Sequence, residues 1–96
     1  MTAVAPNAST EILQQLIRLQ CVNDGHEDSG NETRAADLLR PVVDLPGVEV
    51  QTLGPKANRQ SLVARLPGTD PAAPTLLLLA HTDVVPVQPA DWHEDP

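Results

Sequence analysis

The chain has 96 residues, a formal charge of −7 from 13 acidic and 6 basic side chains, and one aromatic residue, Trp92. Nucleic-acid binding needs a basic footprint, which this balance excludes. The lone cysteine, Cys21, excludes an internal disulfide and agrees with a reducing, cytoplasmic setting.

The hydrophobic fraction is 41% with almost no rings, so Leu, Val and Ala must fill any core. The opening "MTAVAPNAST" lacks the basic and apolar regions of a secretion signal, and "LLLLA" is far too short to span a bilayer. No membrane partner is expected. Residues 1–10 read as a disordered N-terminus, and 11–96 as the structured unit.

From Glu11 to Gln20 the apolar positions are Ile12, Leu13, Leu16, Ile17 and Leu19. Steps of three and four predict an amphipathic helix with Ser9 or Thr10 as its cap. "VNDGHEDSGN", Val22 to Asn31, is polar and turn-forming. Ser29 with Glu32 three residues later reads as a capping box that opens a second helix. Its buried stripe would be Ala35, Ala36, Leu38, Leu39, Val42 and Val43, with a kink or an end at Arg40 imposed by Pro41.

Val48, Val50 and Thr52 alternate with Glu49, Gln51 and Leu53, which predicts a strand with one drier face. "SLVARL", Ser61 to Leu66, reads as a second strand, with turn-forming stretches before and after it. "TLLLLA", Thr75 to Ala80, is a short apolar run between Pro74 and a polar site; it reads as a third strand, buried on both faces. Helix, helix, strand, strand, strand predicts an α/β layered architecture.

His81 and Asp83 follow that run directly, where ligands gather in open α/β sheets. A neutral imidazole is a good zinc ligand and is commonly held by a carboxylate on its other nitrogen. His-x-Asp by itself reads more readily as a polar strand end capped by Asp83. Three other features invite a functional reading and are better explained structurally. "GHEDSGNE", with His26, Glu27, Asp28 and Glu32, fits an acidic loop before a helix. His93 and Glu94 fit a solvated loop, with Trp92 as its packing anchor. Cys21 fits a small buried hydrophobe.

The longer segment "LLLLAHTDVVPV" resembles the first metal motif of the zinc-dependent aminoacylase and carboxypeptidase superfamily. That family includes the acetylornithine deacetylase, succinyl-diaminopimelate desuccinylase and glutamate carboxypeptidase-like enzymes. Its pattern is an apolar strand, Gly or Ala, His, any residue, Asp, a Val-Val-like pair and Pro, all filled from Leu76 to Pro86. Trp92 and Asp95-Pro96 match later features, and "GNETRAADLL" and "NRQSLVARLPG" resemble the preceding helix and strand.

The resemblance implies the N-terminal part of a catalytic domain, with a central mixed or mostly parallel sheet flanked by helices. It implies that His81 coordinates one zinc of a two-zinc centre, where cobalt could substitute, and that Asp83 is the catalytic acid beside it. The implied reaction is amide hydrolysis of N-acyl amino acids or short peptides by a metal-activated water, in a full-length protein compatible with homodimerisation. The family's bridging Asp, Glu-Glu pair, further acidic ligand and late histidine would lie beyond Pro96, so these residues alone are expected to be inactive. The alternative is a non-catalytic α/β module that retains the motif without metal.

Overall fold

The computed structural model describes residues 7–96. Helix α1 spans Ala8–Arg18 and helix α2 spans Thr33–Val43; strands β1, Glu49–Leu53, and β2, Ser61–Arg65, follow, and a single 3-10 turn forms at Pro89–Asp91. The architecture is mixed α/β, as the order of patterned segments predicts.

Helix α1 starts earlier than its apolar spacing suggests. Its N-cap is Asn7, whose side chain makes no capping bond, so Ser9 and Thr10 lie inside the helix. Residues 8–10 are therefore helical, and the rest of the expected disordered N-terminus lies outside the described residues. The helix closes at Leu19, and Gln20 leaves it with a φ of 52°.

Helix α2 also departs from expectation at its start. No capping box forms, because both of its side chains are engaged elsewhere. Ser29 Oγ donates to the His26 carbonyl and accepts from the Asp24 N–H, while Glu32 binds Arg59. Thr33 anchors the helix start to the loop before β2: its hydroxyl donates to the Ala57 carbonyl and accepts from the Gln60 N–H. At the other end the helix runs through Pro41 to Val43. Pro41 removes only the bond to the Asp37 carbonyl, and Asp37 is exposed, so water can satisfy it.

The two strands pair antiparallel, with Glu49 opposite Arg65, Gln51 opposite Val63 and Leu53 opposite Ser61. Val50 and Thr52 are the less exposed members of β1, in keeping with the predicted alternation. Helix α2 packs across both strands. Its stripe is buried only at Ala35 and Ala36; Leu38, Leu39 and Val43 are half-buried, and Val42 is exposed. With Cys21, these two alanines are the buried apolar residues among those described. The radius of gyration is 16.1 Å, against about 13 Å for a compact chain of 100 residues.

The third expected strand is not formed. Thr75–Ala80 has no ladder partner, and Leu76 to Leu79 are 81%, 72%, 83% and 84% exposed. Strand propensity becomes a strand only when a neighbour supplies hydrogen bonds, and no described segment lies alongside this one. The anchor role of Trp92 fails likewise, for its side chain is 56% exposed. The observed sheet is thus a two-stranded antiparallel one, and the sole parallel pairing among the described residues is an isolated bridge between Val22 and Val84.

Candidate metal-binding site

That bridge assembles the site. The Val84 N–H donates to the Cys21 carbonyl at 2.9 Å, and the Asn23 N–H donates to the Val84 carbonyl at 2.8 Å. The segment leaving α1 is thereby fastened beside His81–Val84. Buried Cys21 sits at the fastening point as a small apolar filler, the role its isolation in the sequence suggests.

His81 and Asp83 meet as expected. His81 Nδ1 lies 3.0 Å from Asp83 Oδ1 and 2.9 Å from the Asp83 carbonyl oxygen. Two acceptors on one ring nitrogen require that nitrogen to carry the proton. In the neutral ring Nε2 then holds the lone pair, and it has no hydrogen-bond partner among the described residues. The other carboxylate oxygen, Asp83 Oδ2, accepts from Asn23 Nδ2 at 2.9 Å. Hydrogen bonds from Asn23 and then His81 hold the Asp83 carboxyl below the ordinary carboxylate range, against the opposing effect of its partial burial.

Beside this pair opens a cleft of about 450 Å³, whose lining includes Glu32, Arg59, Leu62, His81 and Asp83. Arg59 grips Glu32 with two parallel bonds, Nε to Oε2 at 3.0 Å and Nη2 to Oε1 at 2.6 Å. The guanidinium lowers the Glu32 pKa despite burial, and Glu32 in turn raises that of Arg59. The Asp83 charge acts on both members in the same sense, favouring protonation of each, so the three charges share one neighbourhood.

The side chains of the acidic loop do not converge. His26 pairs with Asp24, Glu27 with Lys56 and Glu32 with Arg59, so its candidate ligands point to different partners. His93 and Glu94 are exposed in the loop after the motif. No group of three or more His, Cys, Asp or Glu side chains converges as a metal cage among the described residues.

As a zinc donor set, the residues present therefore fit one coordination position, His81 Nε2, with its supporting carboxylate. They do not fit a whole tetrahedral site, which takes three or four protein ligands. Asn23 and Arg59 are the site residues that local patterns miss, while Glu32, which they place in a capping box, lines the cleft instead. Asn23 meets Asp83 across 60 positions and Arg59 meets Glu32 across 27, and no short-range spacing signals either pairing.

The architecture and the His81–Asp83 pair define an α/β segment with the histidine–carboxylate arrangement common in zinc hydrolases. Two known proteins are similar to the chain. The chain is 32% identical to aminoacylase-1 of Mus musculus over 88 residues, which is 92% of this chain and 21% of that protein. It is 31% identical to aminoacylase-1A of Rattus norvegicus over 99 residues, covering 100% of this chain and 23% of that protein. The chain thus spans about a fifth of the length of the curated relatives it matches. No family model and no solved structure matches it.

Proposed function

We propose that these residues are the N-terminal portion of a zinc-dependent amide hydrolase of the aminoacylase kind, acting on N-acyl amino acids. The observation that carries this reading is the approach of His81 Nδ1 to two oxygens of Asp83, at 2.9 and 3.0 Å, an arrangement that places the ring proton there and leaves the Nε2 lone pair free. Similarity to two aminoacylases over nearly the whole chain supports the same reading.

In this reading His81 holds one coordination position, and Asp83 keeps the ring oriented and electron-rich. Zinc, once bound, supplies Lewis acidity toward the amide carbonyl and brings water within reach of ionisation near neutral pH. The cleft beside His81 receives the substrate, where Arg59 and Glu32 line one wall. The remaining metal ligands and the general base come from polypeptide corresponding to the further length of the relatives.

The test uses the protein that carries this segment at its full length. It should contain zinc, release acetate from N-acetyl-L-amino acids and lose that activity to a chelator. His81→Ala should lower the metal content and abolish turnover. Asp83→Asn should retain metal and slow turnover by roughly 10–100-fold, as loss of a ligand's supporting partner does. Unchanged zinc and unchanged turnover in His81→Ala would overturn the assignment.

A further inference from the structure

Asn23 belongs to none of the roles assigned above, yet it is the side chain on which the His81–Asp83 pair rests. His81 is 83% exposed on its side chain, so packing does not hold the ring in place. Its orientation depends on Asp83, and the Asp83 carboxylate must in turn be kept from rotating. One oxygen faces His81 and the other accepts from Asn23 Nδ2 at 2.9 Å. Asn23 is fixed independently. Its Oδ1 accepts from the Gly25 N–H at 3.0 Å, and its own N–H donates to the Val84 carbonyl at 2.8 Å. With Oδ1 committed to a backbone donor, the amide can present only Nδ2 to Asp83.

A competitor stands close by. Arg59 lies within electrostatic reach of Asp83 without bonding to it; Glu32 takes one N–H each from Nε and Nη2, which leaves three of the five guanidinium N–H groups outside that pair. A carboxylate released from Asn23 is free to turn toward that guanidinium and away from His81.

We infer that Asn23 is a positioning residue: by fixing Asp83 Oδ2 it keeps Oδ1 on His81 Nδ1, where it adds to the Asp83 carbonyl in favouring the tautomer that leaves Nε2 available. The inference goes beyond the proposed zinc chemistry and does not require it, since a ring tautomer exists whether or not metal is bound.

The test is nitrogen NMR of the intact, metal-free protein labelled with 15N-histidine. Spectra are recorded at pH 9, well above the ordinary imidazole range of about 6.5. His81→Gln identifies the His81 signals by their loss. The protein as it stands should show His81 mainly as the Nδ1–H form. Asn23→Asp keeps the size and the acceptor for Gly25 but removes the donor; it should shift the population at least threefold toward Nε2–H. Asn23→Ala, which adds no charge, should shift it in the same direction, and an unchanged backbone amide spectrum certifies the fold of either variant. In an Asp83→Asn background, neither Asn23 change should move the ratio further, since coupled residues lose their effect together. An unaltered tautomer ratio in both correctly folded variants overturns the inference, and so does a shift that persists undiminished in the Asp83→Asn background. Both readouts are blind to zinc, so failure of the hydrolase reading and failure of this one are distinguishable.

Discussion

Replacing Gly30 by alanine should destabilise the chain through two separable effects. Gly30 is buried with a φ of +84°, a left-handed conformation that costs an L-residue about 1–2 kcal/mol. A Cβ there would also lie 2.8 Å from Glu32 Cδ and closer still to Oε1. Carbon atoms rest comfortably at about 3.5–4.0 Å, so the carboxylate must retreat by roughly 1 Å. Retreat is resisted, because Arg59 holds both of its oxygens. Gly25 isolates the first effect: its φ is +93°, but a Cβ there would meet nothing within 4 Å. Urea unfolding at low temperature, followed by circular dichroism, should therefore show a cost of about 1–2 kcal/mol for Gly25→Ala. Gly30→Ala should cost more, and the excess should vanish in a Glu32→Ala background, with a coupling in the range of about 0.5–3 kcal/mol typical of touching residues. Equal costs at the two glycines, or the same Gly30→Ala cost with and without Glu32, would refute the reasoning.

Two further outcomes follow from the same structure. The Glu32 pKa is lowered, chiefly by its bonds from Arg59, so its contribution is present above the unfolded value of about 4.3 and is lost as pH falls through the folded one. The urea midpoint should decline below about pH 4, and Glu32→Gln should flatten that decline; an identical pH profile would count against the pairing. Gln20 ends α1 with φ at 52°, the place where glycine commonly closes a helix, so Gln20→Gly should raise stability by about 0.5–1 kcal/mol in the same unfolding assay.

The two helices and the two strands are legible because each rests on local information; the antiparallel pairing of those strands is not. Ile12, Leu16 and Leu19 repeat at helical spacing, and Val50 and Thr52 alternate within a strand, whatever lies elsewhere. Capping was misread where two local motifs competed for one side chain. Ser29 closes a turn with His26 and Asp24, and Glu32 finds in Arg59 a charged donor stronger than a backbone N–H. The leucine run misled for the opposite reason. Its composition states what it would do beside a neighbour, and no sequence pattern shows whether a neighbour is there. His81 and Asp83 lie two residues apart, so their contact could be anticipated; Asn23, 60 residues from Asp83, becomes visible only when Val22 and Val84 come together.

The exposed window from Thr75 to Ala80 bears on how this chain behaves in company. It is uncharged and free of proline and glycine, so its backbone can template association with a second molecule. Pro74 on one side, with Asp83 and Pro86 on the other, acts as a gatekeeper that limits how far such pairing can spread. The surplus of acidic residues gains a purpose in that setting. At neutral pH a charge of −7 keeps copies apart, and near the isoelectric point of about 4.6 the repulsion disappears while the leucines stay uncovered. Within these 96 residues, net charge is thus set against four adjacent leucines.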